Sequence, residues 1–354
     1  MTIAIIRTQK TLRSCARAVF VLAATVGVAA TFAAAVGIAG CGGHTGPRLP
    51  PAAAQPARSP APSAPPAGRV LRLGREAEGV VVDPRTGVVA VGVRHPDGIV
   101  LVDGRSGALI RRVAVPAPRH IALAAPGGPL LDPAEHANRL IEISLPDGDV
   151  LERIRVGSFP HAALAVGGHT YVVNEIGHTL SVLAGDLPVQ TVPLPLAPSD
   201  VGEAAGRIGV VDARARELVV FDLTTLSPVA TLPAGLGPTH AVASPDGLMY
   251  VLDTAGGALE AFDLDYQPAL QLIVPIGGRP YGIALDGPRD RLWVTDTASD
   301  RLIGFHLSTL SPRPFVSLPT VRQPNSVAVD QSSGRVFVAG RANGELQLVD
   351  PPRG

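Results

Sequence analysis

Eight polar side chains stand at comparable places in a repeated apolar sequence pattern, and they are the residues of this chain best suited to chemistry. Each lies one or two residues after a recurring proline or alanine, where most surrounding positions are apolar. Positions that break the rule of their own repeat are candidates for function. The alternative is that these side chains are hydrated loop ends that satisfy nearby backbone groups. The candidate ligand-binding residues are Glu78, Arg119, His120, His161, Asp200, His240, Tyr281 and Asn325.

Two kinds of metal site can be considered within this set. Glu78, Asp200 and Asn325 carry the oxygen ligands that Ca²⁺ prefers, but a hard cation takes six or more oxygens and three side chains are few. Imidazoles suit zinc, but those available come from the second, third and fifth repeats, which are not all adjacent. We therefore expect no resident cofactor, with Ca²⁺ as the open alternative. The imidazole candidates are His120, His161 and His240.

A repeat of about forty residues must position these side chains. Successive copies begin 38 to 44 residues apart, and each divides into short apolar segments separated by turns rich in Asp, Gly, Pro and Ser. Such segments are typical of meandering β-strands, and four strands per repeat at this period indicate a β-propeller. The sequence therefore predicts an all-β, seven-bladed propeller, with the candidate residues at the mouth of its central channel. The repeats begin at Ala77, Pro118, Pro160, Pro198, Pro238, Pro280 and Pro324.

The two ends of the repeat region complement each other. The seventh repeat contains three apolar segments and then ends at Pro351 and Pro352. An extra segment, 70–73, precedes the first repeat and resembles the fourth strand of the other copies. We expect this N-terminal strand to complete the last blade, because pairing there would bury an exposed strand edge.

Acidic or amide residues recur evenly at the ends of the second strands, at Asn174, Asp212, Asp253 and Asp296. This even recurrence favours a structural role, because Asp and Asn cap the turn that follows through their own side chains. The sequence contains no Gly-x-Ser-x-Gly nucleophile motif.

The repeats resemble the YVTN-type and NHL-type propellers of secreted bacterial proteins. The resemblance covers residues 69–354 and rests on openings such as Pro238-Thr239-His240-Ala241-Val242-Ala243 and on second strands such as Leu248-Met249-Tyr250-Val251. It implies a propeller without naming an activity. Related propeller lactonases bind a divalent cation in the channel, which makes a cation-dependent hydrolase using Glu78 and Asn325 the alternative function. Those lactonases commonly have six blades.

The first forty residues have the features of a secretory signal. Four basic residues and no acidic ones precede an apolar run of 23 residues, from Ala18 to Gly40. Ala39-Gly40-Cys41 resembles a bacterial lipobox, which predicts cleavage after residue 40 and acylation, including palmitate, on Cys41. An uncleaved transmembrane anchor is the alternative, because about 20 apolar residues can span a bilayer. Both interpretations place the domain outside the cytoplasmic membrane.

The stretch 41–68 is rich in Pro and Ala and has no apolar periodicity, so we interpret it as a tether.

The chain has 30 basic and 30 acidic residues, and removal of the signal leaves 26 basic residues against 30 acidic ones. This balance argues against nucleic acid as a partner. The two cysteines, Cys15 and Cys41, leave no free thiol in the mature domain. We expect a membrane-anchored module that binds a protein or small ligand, or a scaffold, rather than primarily an enzyme.

Overall fold

The computed structural model describes residues 52–307 and 311–352, and these residues form an all-β structure of seven four-stranded antiparallel sheets in a ring. The prediction of a seven-bladed propeller is confirmed. Cys41 and the predicted signal segment lie outside the described residues. Within the part of the chain that is described, no helix is long and apolar enough to cross a membrane.

Each blade is a meander whose first strand lies at the channel. In chain order the first fourteen strands are β1 (Arg69–Arg72), β2 (Val80–Val82), β3 (Val88–Val93), β4 (Gly98–Asp103), β5 (Leu109–Val113), β6 (Ala122–Leu123), β7 (Leu130–Ala134), β8 (Arg139–Ile143), β9 (Val150–Arg155), β10 (Pro160–Val166), β11 (His169–Asn174), β12 (Thr179–Ala184), β13 (Leu187–Pro193) and β14 (Pro198–Ala204). The others are β15 (Arg207–Asp212), β16 (Glu217–Asp222), β17 (Pro228–Pro233), β18 (Pro238–Ala243), β19 (Leu248–Asp253), β20 (Ala258–Asp263), β21 (Ala269–Pro275), β22 (Pro280–Asp286), β23 (Arg291–Asp296), β24 (Arg301–His306), β25 (Arg313–Pro319), β26 (Pro324–Val329), β27 (Val336–Gly340) and β28 (Glu345–Val349). Two 3₁₀ turns, Glu135–Ala137 and Gly287–Arg289, follow β7 and β22.

Blade 7 combines strands from both ends of the repeat region. Strand β1 pairs antiparallel with β28, with Arg69 opposite Leu348 and Arg72 opposite Glu345. The sheet runs in the order β1, β28, β27, β26. The edge of β28 is therefore paired within the domain rather than exposed.

Apolar side chains between neighbouring blades form the core. The second and third strands are buried almost throughout, because both faces of each sheet pack against another blade. Trp293 is fully buried and packs edge-on against Phe315, with ring centroids 5.6 Å apart. Tyr250 is also buried, at 4% exposure.

The acidic residues at the second-strand ends hold the connections between blades. The Asp212 carboxylate accepts backbone N–H groups from Leu196 and Ala197 ahead of its own blade and from Ala215 in the following turn. Asp253 accepts the equivalent N–H groups of Leu236 and Gly237. This repeated use supports a structural role for these positions.

Candidate functional site

The first strands of the seven blades begin at one mouth of the channel, and they bring the predicted residues to it. Most of these side chains are buried rather than hydrated, because the narrow channel packs them against one another. The buried members, each 6% exposed or less, are Glu78, His161, His240, Tyr281 and Asn325. Arg119, His120 and Asp200 are partly buried.

Glu78 lies in a network that joins blades 1 and 7. One carboxylate oxygen is 2.6 Å from Nε of Arg341, and the other accepts a long hydrogen bond of 3.4 Å from Nδ2 of Asn325. The Arg341 guanidinium also pairs with Glu76 at 2.9 Å. Closure of the ring makes Glu78 and Asn325 neighbours, although their positions are 247 residues apart in sequence.

Arg119 lacks a close partner for its charge. Its Nε is buried and has no hydrogen-bond partner among the described residues, and the nearest carboxylate oxygen, on Glu135, is 3.7 Å away. Burial alone would lower the pKa of Arg119, but Coulomb interactions with Tyr281, Glu78 and other acidic groups outweigh burial and raise it. The guanidinium is thus a fixed positive charge with unused hydrogen-bonding capacity.

Three histidines from blades 2, 3 and 5 pack together inside the channel. The ring of His120 lies 4.7 Å from that of His161 and 4.4 Å from that of His240, measured between centroids. Nδ1–H of His161 donates to the Ser199 carbonyl, and Nδ1–H of His240 donates to the Tyr281 carbonyl. Because a carbonyl only accepts, these contacts leave both Nε2 atoms as acceptors in the neutral rings.

Burial is the main cause of the depressed pKa of each of these histidines, and nearby cationic groups add to it. The pKa of His240 falls to about 4. All three rings are therefore neutral at pH 7. The Nε2 atom of His120 is buried without a hydrogen-bond partner in the described structure.

Asp200 lies in the same channel and accepts the backbone N–H of Ala241 at 2.9 Å. Burial raises its pKa to about 7, and this hydrogen bond opposes the rise. Within residues 52–307 and 311–352, no three His, Cys, Asp or Glu side chains are arranged to hold a metal ion.

A second ring of mouth residues was missed by the sequence reasoning. It is the position directly after each second strand, whose backbone N–H bonds the loop ahead of the blade. Blades 7, 1, 2 and 3 carry charged residues there, whereas blades 4 to 6 carry small ones. Alignment of the seven repeats at this position would have identified the second ring from the sequence. In blade order the residues are Arg94, Glu135, Glu175, Ala213, Thr254, Thr297 and Arg341.

The second ring divides the mouth into two parts. The charged half of the mouth consists of Arg94, Glu135, Glu175 and Arg341 together with Glu78 and Arg119. An open cavity of about 690 Å³ is lined by these residues except Glu175, and by neighbours such as Glu76 and Asp97. Arg94 and Glu135 form a buried ion pair of 2.7 Å at its wall. Within the described residues, the Glu175 carboxylate makes one polar contact, in which an oxygen lies 3.9 Å from Nε2 of His161.

No known protein family matches this sequence, and no curated protein matches it. Solved structures are similar in fold. A chain of hydrazine synthase from Kuenenia stuttgartiensis has a TM-score of 0.70 at 14% identity over 79% of this chain and 97% of that one. The WD40 repeats of RRP9 have a TM-score of 0.67 at 13% identity, over 80% of this chain and 98% of that one.

Virginiamycin B lyase from Staphylococcus aureus, in a catalytically inactive histidine-to-alanine form with quinupristin, gives a TM-score of 0.66 at 13% identity, over 80% of this chain and 99% of that one. At these identities the similarity establishes the propeller fold alone. The resemblance to YVTN-type and NHL-type repeats is supported only to that level.

Proposed function

We propose that this chain is a binding module and that the charged half of the mouth holds its ligand. The observation that carries the proposal is the Arg119 guanidinium, which lines a cavity of about 690 Å³ and makes no hydrogen bond to the described residues. A ligand that places an acceptor against this guanidinium forms a charge-assisted hydrogen bond, which contributes about 1.5–3 kcal/mol.

The chemistry around Arg119 limits the ligand to a polar group. Glu78 and Glu135 already pair with Arg341 and Arg94, so their charges are largely satisfied. Arg119 offers donors, and the carboxylate of Glu175 is the nearby acceptor without a close cation. A ligand with an acceptor, such as a carboxylate, and a neighbouring donor fits this arrangement. Such a group belongs either to a small molecule or to a side chain of a protein partner.

Replacement of Arg119 by Gln is expected to weaken ligand binding. Thermal-shift screening of polar metabolites, carboxylates foremost, would find compounds that stabilise the wild-type protein. We expect any compound bound at the mouth to lose at least tenfold in affinity with Arg119→Gln, because a charge-assisted hydrogen bond contributes about 1.5–3 kcal/mol. The control is Arg112→Gln, which changes an exposed arginine on outer strand β5. Equal affinity for the Arg119→Gln protein and the wild type would contradict the proposal.

Catalysis, including a cation-dependent hydrolase of lactonase type, is a second candidate function. The favouring observation is His161, whose Nδ1–H is fixed by a carbonyl and whose Nε2 faces Glu175. A neutral imidazole with a free Nε2 can act as a general base. The inactive histidine-to-alanine form of virginiamycin B lyase is a propeller of similar shape whose catalysis needs a histidine.

A panel of chromogenic esters and lactones, with and without Ca²⁺, separates this candidate from binding alone. Turnover that disappears with His161→Ala would support catalysis. Absence of turnover in both proteins, with ligand binding intact, leaves the binding module as the function.

We also propose that the domain acts outside the cytoplasmic membrane, held by acyl chains on Cys41. The support is the charged segment, apolar run and lipobox-like residues that precede this cysteine. Two or more acyl chains give stable membrane attachment.

Cys41→Ala is expected to block lipid attachment and change signal processing. Labelling with a palmitate analogue should mark the wild-type protein and not the variant, and the membrane-bound fraction should fall several-fold. Unchanged membrane attachment and unchanged size in the variant would instead favour an uncleaved transmembrane anchor.

A further inference from the structure

A short N-terminal segment lies on the small-residue half of the mouth. We name residues 54–60 the strap. The backbone N–H of Ala57 donates to Oγ1 of Thr297 at 2.9 Å. Ser59 is 2% exposed, and its hydroxyl donates to the Thr297 carbonyl at 2.8 Å. These contacts fall within the stretch that composition alone indicates as a tether.

Gln323 holds the strap backbone with both ends of its amide. Its Nε2 donates to the Ala57 carbonyl at 2.7 Å, and its Oε1 accepts the Ser59 N–H at 3.0 Å. Arg322 adds a donor to the Ser59 carbonyl at 3.1 Å. The side-chain amide thus binds two alternate residues of an extended segment, much as a neighbouring β-strand does.

The propeller leaves room for the strap by using small residues. The second ring carries Ala213, Thr254 and Thr297 in blades 4 to 6, where the other blades carry charged side chains. Gly237 shows how close the approach is, because a Cβ atom there would lie 2.7 Å from Cβ of Ala54. A larger residue at position 237 would displace the strap.

We propose that this groove, formed by blades 5 to 7 beside the mouth, is a peptide-binding site that this chain fills with its own strap. It takes a short segment between two prolines, here Ala57-Arg58-Ser59, with the buried serine as its anchor. Proline restricts such segments before binding and so lowers the entropy lost on docking.

The groove is connected to the charged half of the mouth. Gln323 also donates to Oδ1 of Asn325 at 3.2 Å, and Asn325 donates to Glu78. Release of the strap would free the Gln323 amide, which orients Asn325. A change in the orientation of Asn325 would in turn alter its hydrogen bond to Glu78. This connection to ligand binding rests on the proposed function, whereas the groove itself does not.

Binding in trans tests the groove. The probe is a fluorescein-labelled peptide with the sequence of residues 52–61, and the proteins are full-length wild type and Ser59→Pro, which removes the anchoring N–H and hydroxyl from the strap. We expect a saturable change in fluorescence anisotropy with Ser59→Pro. The affinity of this variant for the peptide should be at least tenfold higher than that of the wild type, whose groove is already occupied by the strap. Adding Gln323→Ala to Ser59→Pro should abolish binding.

Several outcomes would overturn the proposal. These are absence of peptide binding to the folded Ser59→Pro protein, or unchanged binding after Gln323→Ala is added. Hydrogen exchange on the wild type gives a second reading, in which rapid exchange of the Ala57 and Ser59 amides would contradict the docked strap. A concentration-dependent dimer that Gln323→Ala dissociates would show that a second copy supplies the strap and would overturn its assignment in cis. Arg119→Gln should leave peptide binding unchanged, so failure of the groove and failure of the mouth site are distinguishable.

Discussion

Asp132→Val is expected to stabilise the propeller strongly. Asp132 is fully buried on β7, and neither carboxyl oxygen makes a hydrogen bond of good geometry within the described residues, although the backbone N–H of Arg119 is close enough to lower its pKa. Every other blade has valine at this place in its second strand. At pH 7 the substitution should raise the free energy of unfolding by about 2–4 kcal/mol, because a buried polar group without partners is costly. The equivalent residues are Val91, Val172, Val210, Val251, Val294 and Val338.

The same group gives stability a defined pH dependence. Burial raises the pKa of Asp132 to about 8, and the Arg94 charge and the Arg119 backbone N–H oppose this rise only in part. The folded state therefore holds a proton that the unfolded state releases near pH 4. The contribution of this proton to the free energy of unfolding is fully present below pH 4 and is lost as the pH rises toward 8. The free energy of unfolding falls over this range by at most about 1.4 kcal/mol per pH unit.

Denaturant unfolding of wild type, Asp132→Val and Asp132→Asn between pH 5 and 8 measures both effects. The difference in free energy of unfolding between Asp132→Val and wild type should increase as the pH rises. Asp132→Asn should remove this pH-dependent part while keeping an uncharged polar group in the core. A gap that stays constant with pH, or a less stable Asp132→Val protein, would contradict the assignment of a buried protonated carboxyl.

Arg94→Met is expected to destabilise the fold by about 3 kcal/mol, because it leaves the buried Glu135 carboxylate with only the more distant Arg119, 3.7 Å away, as a cationic partner. The Arg94 and Glu135 side chains are 12% and 6% exposed, and their closest charged atoms are 2.7 Å apart. Chemical denaturation at pH 7 measures the loss. The pair spans blades 1 and 2, so the loss reports on their interface as well as on the wall of the mouth.

Two further proteins control this prediction. Arg111→Met breaks an ion pair of similar length, 2.8 Å, whose side chains are 48% and 64% exposed, and it should cost less than about 1 kcal/mol. Adding Glu135→Leu to Arg94→Met should recover much of the stability, because an apolar pair of similar size avoids the desolvation of both charges. Equal losses for Arg94→Met and Arg111→Met would show that the mouth pair is not effectively buried.

The repeat made the fold predictable, because each copy carries the same strand and turn pattern. Closure of the ring by the repeats also explains why Glu78 and Asn325 are neighbours although they are 247 residues apart in sequence. The packing of His120 against His161 and His240 depends on the narrowness of the channel, which strand patterns do not report. Sequence separation by whole blades therefore made that cluster look unlikely.

The strap was not predictable from composition for a different reason. A Pro- and Ala-rich segment has no apolar periodicity, and the groove binds it chiefly through backbone groups. Docking of the strap is determined by residues of the groove, namely Gln323 and the small residues of blades 4 to 6. Likewise, Asp132 becomes visible only when the second strands are aligned with one another.

Crystallographic fragment screening of the propeller most directly tests the claim that the charged half of the mouth is a ligand site. With a library of small polar compounds, we predict that fragments bearing a carboxylate occupy the cavity with an oxygen within hydrogen-bonding distance of the Arg119 guanidinium. The same soak of Arg119→Gln crystals should leave this cavity without them. Fragments that bind only elsewhere on the wild-type protein would contradict the account.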